Sequence, residues 1–429
     1  MADQELRDGT ARPDASDASD ASRISDAAAA CDLDSPLTLH RLVYLEENGE
    51  VTIGRPDIES FAILPPDGAA LVRRLQEGAT PRQAADWYAA EYGEPIDVAD
   101  IVEALYELDF VRSEPGPAPQ TLRPVRWQRL GQALFSPVAW LCYGAVVAWA
   151  TVLMVRSPDL LPSPRAMVFS DYYSLIMVVM TVAAAPLIAI HEIYHALAGR
   201  RLGIGSRTRM SYRFYFLVVE TSLDGLVVVE RRKRYLPILA GMIVDVVLVG
   251  VLIIVADFTR GPDGVGLAGR VCLAVAFAAV IRVLWQFFFY LRTDIYVLIS
   301  TALGCVDLHT TATRMIRNRC NRLLGRPDRL LDESEWHPAD RRAARWYSWL
   351  IPVGYTLSLS TFLLGLGPVF FDMIGAVLGR FTADRPNWVM LVDGTVFLLL
   401  TFLQIGIALW LAARDRLRRR RERTRHVIA

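Results

Sequence analysis

Two histidines and a glutamate interrupt an apolar stretch, "APLIAIHEIYHALAGRRLG", at residues 185–203. His191 and His195 are four residues apart, so on a helix they share one face and can reach one tetrahedral ion. Glu192 follows the first histidine, where a carboxylate can take a proton from a metal-activated water. The pattern predicts a zinc site with His191 and His195 as ligands and Glu192 as general base. The alternative is that the histidines are polar residues packed between helices.

The apolar setting of this motif favours the catalytic interpretation. Hydrophobic residues make up 53% of the 429 residues. This is too apolar for an ordinary soluble protein and indicates several membrane spans. An ionisable residue within a membrane helix costs about 2.5–3.5 kcal/mol on insertion scales, so such residues are usually functional.

Six apolar segments are long enough to cross about 30 Å of hydrocarbon as helices: 132–155, 172–190, 235–256, 271–291, 346–371 and 387–413. Arginines cluster before the first segment and after the second, fourth and sixth. By the positive-inside rule both termini are cytoplasmic, in agreement with an even number of spans. A helical hairpin or re-entrant piece around 296–312 or 364–378 would change the count. We expect no signal peptide, because the N-terminus lacks a basic region followed by an apolar core.

The motif and its surroundings resemble the site-2 protease family of intramembrane zinc metallopeptidases over about residues 170–310. The likeness lies in "HEIYHALAGRRLG", in the strand-like "RTRMSYRFYFLVVETSLDG", in "RRKRYLPILAGMIVDVVLVG" and in "FYLRTDIYVL". The resemblance implies that Asp294 is the third zinc ligand beside His191 and His195, that Glu192 acts as general base and acid, and that Zn²⁺ is the cofactor.

The sequence departs from the family pattern at two places. The family's Asn and Pro upstream of the aspartate are missing, and Ile295 stands where the family has Gly. Tyr194 occupies a position inside HExxH that is often Gly in the family. These departures indicate a divergent branch, similar to the membrane metallopeptidases found with peptide biosynthesis and export systems.

Other charged residues in the apolar segments have competing interpretations. Asp245 lies in the middle of the third span and Arg282 in the middle of the fourth. The favoured interpretation is a buried ion pair that ties two core helices together, and the alternative makes Asp245 the third ligand in place of Asp294. Asp393, near the start of the last span, is expected at the membrane interface. His309 is expected to be a polar residue at a helix end.

The chain is predicted to be mainly α, a polytopic membrane helical bundle with a small N-terminal α+β domain of winged-helix type. The N-terminal domain has two predicted strands around "EENG" and three short helices. Asp67 is predicted to cap the first helix and Gly78 to end it, and Thr80 and Gln83 fit a capping box. The domains are a disordered acidic tail at 1–35, the winged-helix domain at 36–115, a linker at 116–131, the transmembrane metallopeptidase domain at 132–413 and a basic cytoplasmic tail at 414–429.

Residues 36–115 are similar to PqqD-like peptide-recognition domains. The similarity lies in two N-terminal strands followed by "PDGAALVRRLQEGATPRQAADWYAAEYG" and a last helix ending in "LYELDFV". It implies that a leader peptide binds as an added strand at the sheet edge. The alternative is a regulatory or structural winged helix. No nucleic-acid partner is expected, since the domain is acidic on balance and no helix has a basic stripe.

The expected function is hydrolysis of a peptide or membrane-anchored substrate in the cell membrane, in peptide maturation or export. One alternative is a non-catalytic membrane component of a peptide export or assembly system. Another is a signalling protease that cuts a membrane-tethered regulator, although no PDZ-like insertion is evident. The lipid bilayer is the other expected partner, and the arginine-rich tail is expected to contact anionic lipid.

Overall fold

The computed structural model describes residues 32–112 and 125–428, apart from short gaps at 48, 59, 206, 214–215, 223, 263, 335, 362, 365–366 and 383–386. The predicted disordered tail up to residue 31 and the linker up to residue 124 lie outside the described residues. The chain divides into two compact units. One comprises Met1–Arg126, Gly203–Gly205 and Asp224–Glu230, and the other comprises Trp127–Leu202, Ser206–Leu223 and Arg231–Ala429.

The first unit contains a three-stranded antiparallel sheet in the order β1-β2-β3. Its strands are β1 Val43–Glu47, β2 Glu50–Arg55 and β3 Ser60–Leu64. Gly49, with a φ of +83°, forms the tight turn between β1 and β2, where a side chain would be strained. The two predicted strands are present. Strand β3 was not predicted, because "SFAIL" is a short half-buried run without apolar–polar alternation.

Three helices complete this unit: α1 Pro66–Gln76, α2 Pro81–Tyr92 and α3 Val98–Glu107. The capping box of α2 is formed as predicted. The Thr80 hydroxyl accepts the backbone N–H of Gln83, and the side-chain oxygen of Gln83 accepts the backbone N–H of Thr80. Gly78, with a φ of +100°, lies directly after α1 and confirms the predicted helix stop.

The prediction that Asp67 caps α1 is wrong. The helix begins at Pro66 with Pro65 at the N-cap position, which makes no side-chain capping bond. Asp67 lies inside the first turn, and its carboxylate accepts a hydrogen bond of 2.5 Å from the Tyr88 hydroxyl. The bond joins α1 to α2 above the core of this unit, whose fully buried members include Ile53, Leu71, Leu75 and Phe110.

The second unit is almost entirely helical. Its helices are α4 Gln128–Leu134, α5 Pro137–Arg156, α6 Tyr173–Arg201, α7 Arg231–Phe258, α8 Leu267–Trp285, α9 Asp294–Leu303, α10 Leu308–Leu323, α11 Pro338–Thr361, α12 Gly367–Phe381 and α13 Trp388–Ile428. Among the described residues, α5, α6, α7, α8 and the Trp388–Leu411 part of α13 are long and apolar enough to cross a membrane. These five helices match five of the six predicted spans.

The remaining predicted span, 346–371, is not one continuous helix among the described residues. Helix α11 begins earlier, at Pro338, and ends at Thr361, and α12 begins at Gly367. Pro368, the second residue of α12, has no N–H with which to continue a preceding helix. Instead α9 and α10, which meet at a bend of 87°, can together count as a sixth span. This bend lies within the predicted re-entrant region 296–312.

A buried carboxylate holds the break between α9 and α10. Gly304 ends α9 with a φ of +69°. Asp340, from α11, then accepts the backbone N–H groups of Val306 and Asp307 at 3.0 and 2.9 Å. In a continuous helix these N–H groups would bond to backbone carbonyls. Here the Asp340 side chain takes the place of those carbonyls.

The segment between α6 and α7 forms an antiparallel hairpin, β4 Arg207–Arg213 and β5 Phe216–Ser222. This confirms the strand-like stretch predicted there. A second short ladder, β6 Arg260–Gly261 and β7 Gly264–Val265, lies between α7 and α8. At the C-terminus, the backbone of α13 continues as a helix through the predicted basic tail to Ile428.

Candidate metal centre

Helix α6 places the two histidines on one buried face, one turn apart. Both side chains are buried, and their Nε2 atoms lie 3.1 Å from each other. The spacing of four residues on a regular helix brings the rings together, as the sequence predicted. Glu192, the predicted general base, follows His191 in the same helix and has a half-buried side chain.

Asp294, the first residue of α9, completes the group. Its Oδ2 atom lies 3.2 Å from Nε2 of His191 and 3.2 Å from Nε2 of His195. Gln286 holds the loop before Asp294, because its side-chain oxygen accepts the Asp294 N–H at 3.0 Å and its carbonyl accepts the Thr293 hydroxyl at 2.5 Å. Donor atoms around a tetrahedral ion with bonds of about 2.0–2.1 Å are roughly 3.3 Å apart, close to the observed separations.

Helix α7 contacts the far side of both imidazoles. Pro237, Gly241 and Asp245 recur every four residues and so form one face of this helix. The Pro237 carbonyl lies 2.8 Å from Nδ1 of His195, and Oδ2 of Asp245 lies 2.9 Å from Nδ1 of His191. Such partners fix the orientation of a ligating imidazole and its tautomer.

These partners assign the protons on both rings. A carbonyl oxygen only accepts, so Nδ1 of His195 carries a hydrogen. The carboxylate of Asp245 is ion-paired with Arg282, and therefore Nδ1 of His191 also donates. Each neutral imidazole then has its lone pair on Nε2.

With both imidazoles neutral, as a metal ligand requires, the three inward-facing atoms carry no hydrogen between them. Two Nε2 lone pairs and the carboxylate of Asp294 converge within 3.1–3.2 Å. The Oδ2 atom of Asp294 is buried and has no hydrogen-bond partner. Electron-rich atoms at this separation repel each other unless a cation lies among them. His191, His195 and Asp294 therefore form a group that could hold a metal ion.

The absence of a side chain at Gly241 keeps this space open. A Cβ atom built there would lie 2.5 Å from both Cε1 and Nε2 of His191 and would also clash with Nε2 of His195. Glycine thus allows the backbone of α7 to approach the histidines closely.

The predicted ion pair between Asp245 and Arg282 is present. Nε of Arg282 donates to Oδ2 of Asp245 at 2.9 Å, and a second guanidinium nitrogen donates to Oδ1. Asp245 is fully buried. Its carboxylate contacts the Nδ1 side of His191, so of the two candidate third ligands only Asp294 lies with the Nε2 atoms.

Two other predicted residues lie away from this group. His309, at the start of α10, has Nδ1 3.3 Å from the Tyr347 hydroxyl, in agreement with its predicted helix-end position. Asp393, predicted at the membrane interface, is buried, with 5% of its surface exposed. Its position relative to a membrane stays a prediction. Asp393 accepts the backbone N–H groups of Tyr173 and Ser174, both at 3.0 Å, and so caps α6.

Pro237 and Gly241 were not predicted to contact the histidines. Their signal was present as the four-residue spacing of Pro237, Gly241 and Asp245 in "PILAGMIVD". Periodicity alone identifies them as one helix face but not as the face that meets the histidines.

Comparison with known proteins gives no match: no protein-family model, curated protein or solved structure shows significant similarity to this chain. The class defined by fold and site is a mainly helical protein with several helices suited to a membrane and a His–His–Asp group that could hold a metal ion.

Proposed function

We propose that this chain is an intramembrane zinc metallopeptidase of the site-2 protease type. The observation that carries the proposal is the convergence of His191, His195 and Asp294 within 3.1–3.2 Å, in helices otherwise apolar enough to cross a membrane. Two imidazoles and one carboxylate, with a further position open, are the ligand type of catalytic zinc sites.

Each residue of the site has a separate task in this proposal. Zn²⁺, when bound, supplies Lewis acidity and lowers the pKa of a coordinated water to about 7. His191, His195 and Asp294 hold the ion. Asp245 and the Pro237 carbonyl keep the two imidazoles in the tautomer whose Nε2 is free to bind it.

Glu192 moves the proton. Directly after the first ligand, its carboxylate takes the proton of the attacking water and returns it to the leaving amine. The substrate is a peptide or a membrane-anchored segment. Its backbone around the scissile bond is extended and lies beside α6. The burial of the histidines excludes bulk water and strengthens the electrostatic interactions of the site.

The rest of the chain serves delivery of the substrate. We propose that the chain lies in the cell membrane with both termini in the cytoplasm. The three-stranded sheet of the first unit ends at two edge strands, β1 and β3. An extended peptide can add to such an edge through main-chain hydrogen bonds, and this supports the proposed role in peptide maturation or export.

The decisive test is Glu192→Gln in the full chain, purified in detergent and assayed with a mixture of quenched-fluorescent peptides. We expect stoichiometric zinc by elemental analysis in both proteins and a loss of at least 100-fold in cleavage rate in the variant. Undiminished cleavage with zinc retained would remove Glu192 from the mechanism. Failure of the wild-type chain to bind zinc, with no change on His191→Ala, would instead favour a non-catalytic export component.

A further inference from the structure

An open cavity of about 340 Å³ lies at the beginning of α11, outside the metal centre. Its walls are Ser334, Trp336, Pro338, Arg341, Arg342 and Arg345. This volume is at the small end of the ~300–1,000 Å³ typical of small-molecule sites. The three arginines occupy the first two turns of α11, where the helix dipole adds further positive potential.

No carboxylate among the described residues forms an ion pair with these three arginines. None of their guanidinium groups forms an ion pair or a hydrogen bond with a described residue. The neighbouring carboxylates have other partners: Glu333 binds Arg322 and Asn318, and Asp340 accepts the backbone of the α9–α10 break. Asp332, whose carboxylate interacts electrostatically with Arg341, accepts hydrogen bonds from the backbone N–H and the hydroxyl of Ser334. Among the described residues that line the cavity, the charged side chains are all arginines.

The residues that follow the cavity along α11 change in the order expected at a membrane surface. After the arginines come two exposed tryptophans, Trp346 and Trp349, the latter 62% exposed. Exposed aliphatic residues follow, among them Val353 and Leu357, both 60% exposed. Arg345 and Trp349 are one turn apart, about 6 Å along the axis, and headgroup regions are roughly 5–8 Å deep. Tryptophans favour this interface.

We propose that this cavity binds the phosphate of an anionic phospholipid headgroup. Guanidinium groups bind phosphate oxygens bidentately. Three of them favour a ligand with net negative charge over a zwitterionic headgroup, in which a cation accompanies the phosphate. The tryptophans and aliphatic residues one to three turns further along α11 contact the acyl chains of the same lipid. This last feature favours a lipid over free phosphate.

The test uses the full chain in maltoside micelles, titrated separately with phosphatidylglycerol, with phosphatidylcholine of the same acyl chains and with inorganic phosphate. Native mass spectrometry counts bound lipid and gives its affinity. The test variant is Arg342→Gln with Arg345→Gln. The matched control is Arg317→Gln with Arg326→Gln, which removes the same charge from exposed arginines that do not line the cavity.

We expect one tightly bound phosphatidylglycerol, an affinity about 30-fold lower in the test variant and a change of less than about threefold in the control. Arg342→Lys with Arg345→Lys should retain part of the affinity, because the charge remains while bidentate geometry is lost. Equal losses in test and control variants, or equal binding of phosphatidylcholine, would overturn the proposal. So would inorganic phosphate competing as strongly as the lipid, which would assign the cavity to a free anion.

Discussion

Asp245 joins a histidine and an arginine: its Oδ2 atom lies 2.9 Å from Nδ1 of His191, and its carboxylate is ion-paired with Arg282. The carboxylate thus connects α6, α7 and α8 behind the candidate metal centre. Because Asp245 is ion-paired with Arg282, its carboxylate accepts the hydrogen on Nδ1 of His191 and leaves Nε2 to face Asp294. The Asp245–Arg282 pair thus affects metal binding through His191, and neither of its two residues is a ligand.

Removal of this charge should weaken metal binding. Asp245→Asn keeps the shape and an acceptor oxygen but loses the negative charge, so His191 becomes a weaker ligand. We expect zinc affinity to fall by about 10–100-fold, the usual effect of losing such an outer partner. Competition with a chromophoric chelator measures it.

A second variant separates this effect from general damage. Arg282→Met leaves Asp245 buried without its cation and should destabilise the chain by about 3–5 kcal/mol. Asp245→Asn combined with Arg282→Met removes both charges and should recover most of that stability while zinc affinity stays low. Recovery of zinc affinity in the double variant would contradict the proposed role of Asp245.

A methyl group at position 241 should fill the metal centre. In Gly241→Ala the new Cβ would lie 2.5 Å from Nε2 of His191, so either the histidines or α7 must shift. We expect at least a tenfold loss of zinc affinity, measured by elemental analysis after dialysis against a weak chelator.

The control for this substitution is Gly144→Ala in α5, where an added Cβ meets no atom within 4 Å. It should leave zinc content unchanged and stabilise the helix by about 0.5–1 kcal/mol. Normal zinc content in Gly241→Ala would show that α7 can move away from the histidines and that Gly241 is not required.

The ligands differed in how far the sequence could identify them. His191 and His195 are neighbours on one helix, so local spacing was sufficient to pair them. Asp294 depends on where α8 ends, and no glycine or proline in "QFFFYLRTD" marks that point. The structure ends α8 at Trp285 instead of continuing to residue 291, and Arg292 adopts a left-handed conformation with a φ of +60°. Hydrogen bonds made by the side chains of Gln286 and Thr293 stabilise this turn. The hydrophobic periodicity of the sequence gives no sign of such bonds.

In the fold too, local features could be predicted from the sequence and features that depend on distant residues could not. Long apolar segments with few charges were identified as helices, because length and hydropathy are local properties of the sequence. The span predicted at 346–371 failed because α11 ends at Thr361 and α12 begins at Gly367. The start of α11 at Pro338 was not predicted either, and there Asp340 is bonded to the α9–α10 break. A carboxylate that satisfies backbone groups in another part of the chain leaves no local pattern.

The cap formed by Asp393 should stabilise the helix that carries the histidines. Its carboxylate accepts the N–H groups of Tyr173 and Ser174 and the Ser174 hydroxyl, and it is ion-paired with Arg380 at 2.9 Å. Asp393→Ala removes these bonds from a buried position and should lower the free energy of unfolding by about 1.5–3 kcal/mol. Unfolding in a mixed-micelle titration measures the change. Thr395→Ala, on the exposed side of α13, is the control and should change stability by less than about 0.5 kcal/mol.

The first unit should lose stability in acid through Asp57. The buried Arg55 guanidinium donates to its carboxylate at 2.7 Å, and this hydrogen bond lowers the pKa of Asp57 below its ordinary value. A carboxyl group whose pKa is depressed by folding stabilises the folded state above the unfolded pKa of about 3.9. That contribution disappears as the pH falls through the lower, folded pKa. We therefore expect Asp57→Asn to reduce stability at pH 6 and to match the wild-type chain near pH 2.

The readout is the ¹⁹F signal of 5-fluorotryptophan at Trp87, which is the one tryptophan between residues 32 and 112. Its chemical shift reports unfolding of the first unit within the intact chain. The control is Asp86→Asn, which changes an exposed carboxylate next to the reporter Trp87. Its stability should equal that of the wild-type chain at every pH. If Asp57→Asn and wild type unfold with the same pH dependence, the Arg55–Asp57 pair contributes nothing to acid sensitivity. A difference confined to the range above the depressed pKa would confirm it, because protonation of Asp57 and its replacement by asparagine remove the same charge.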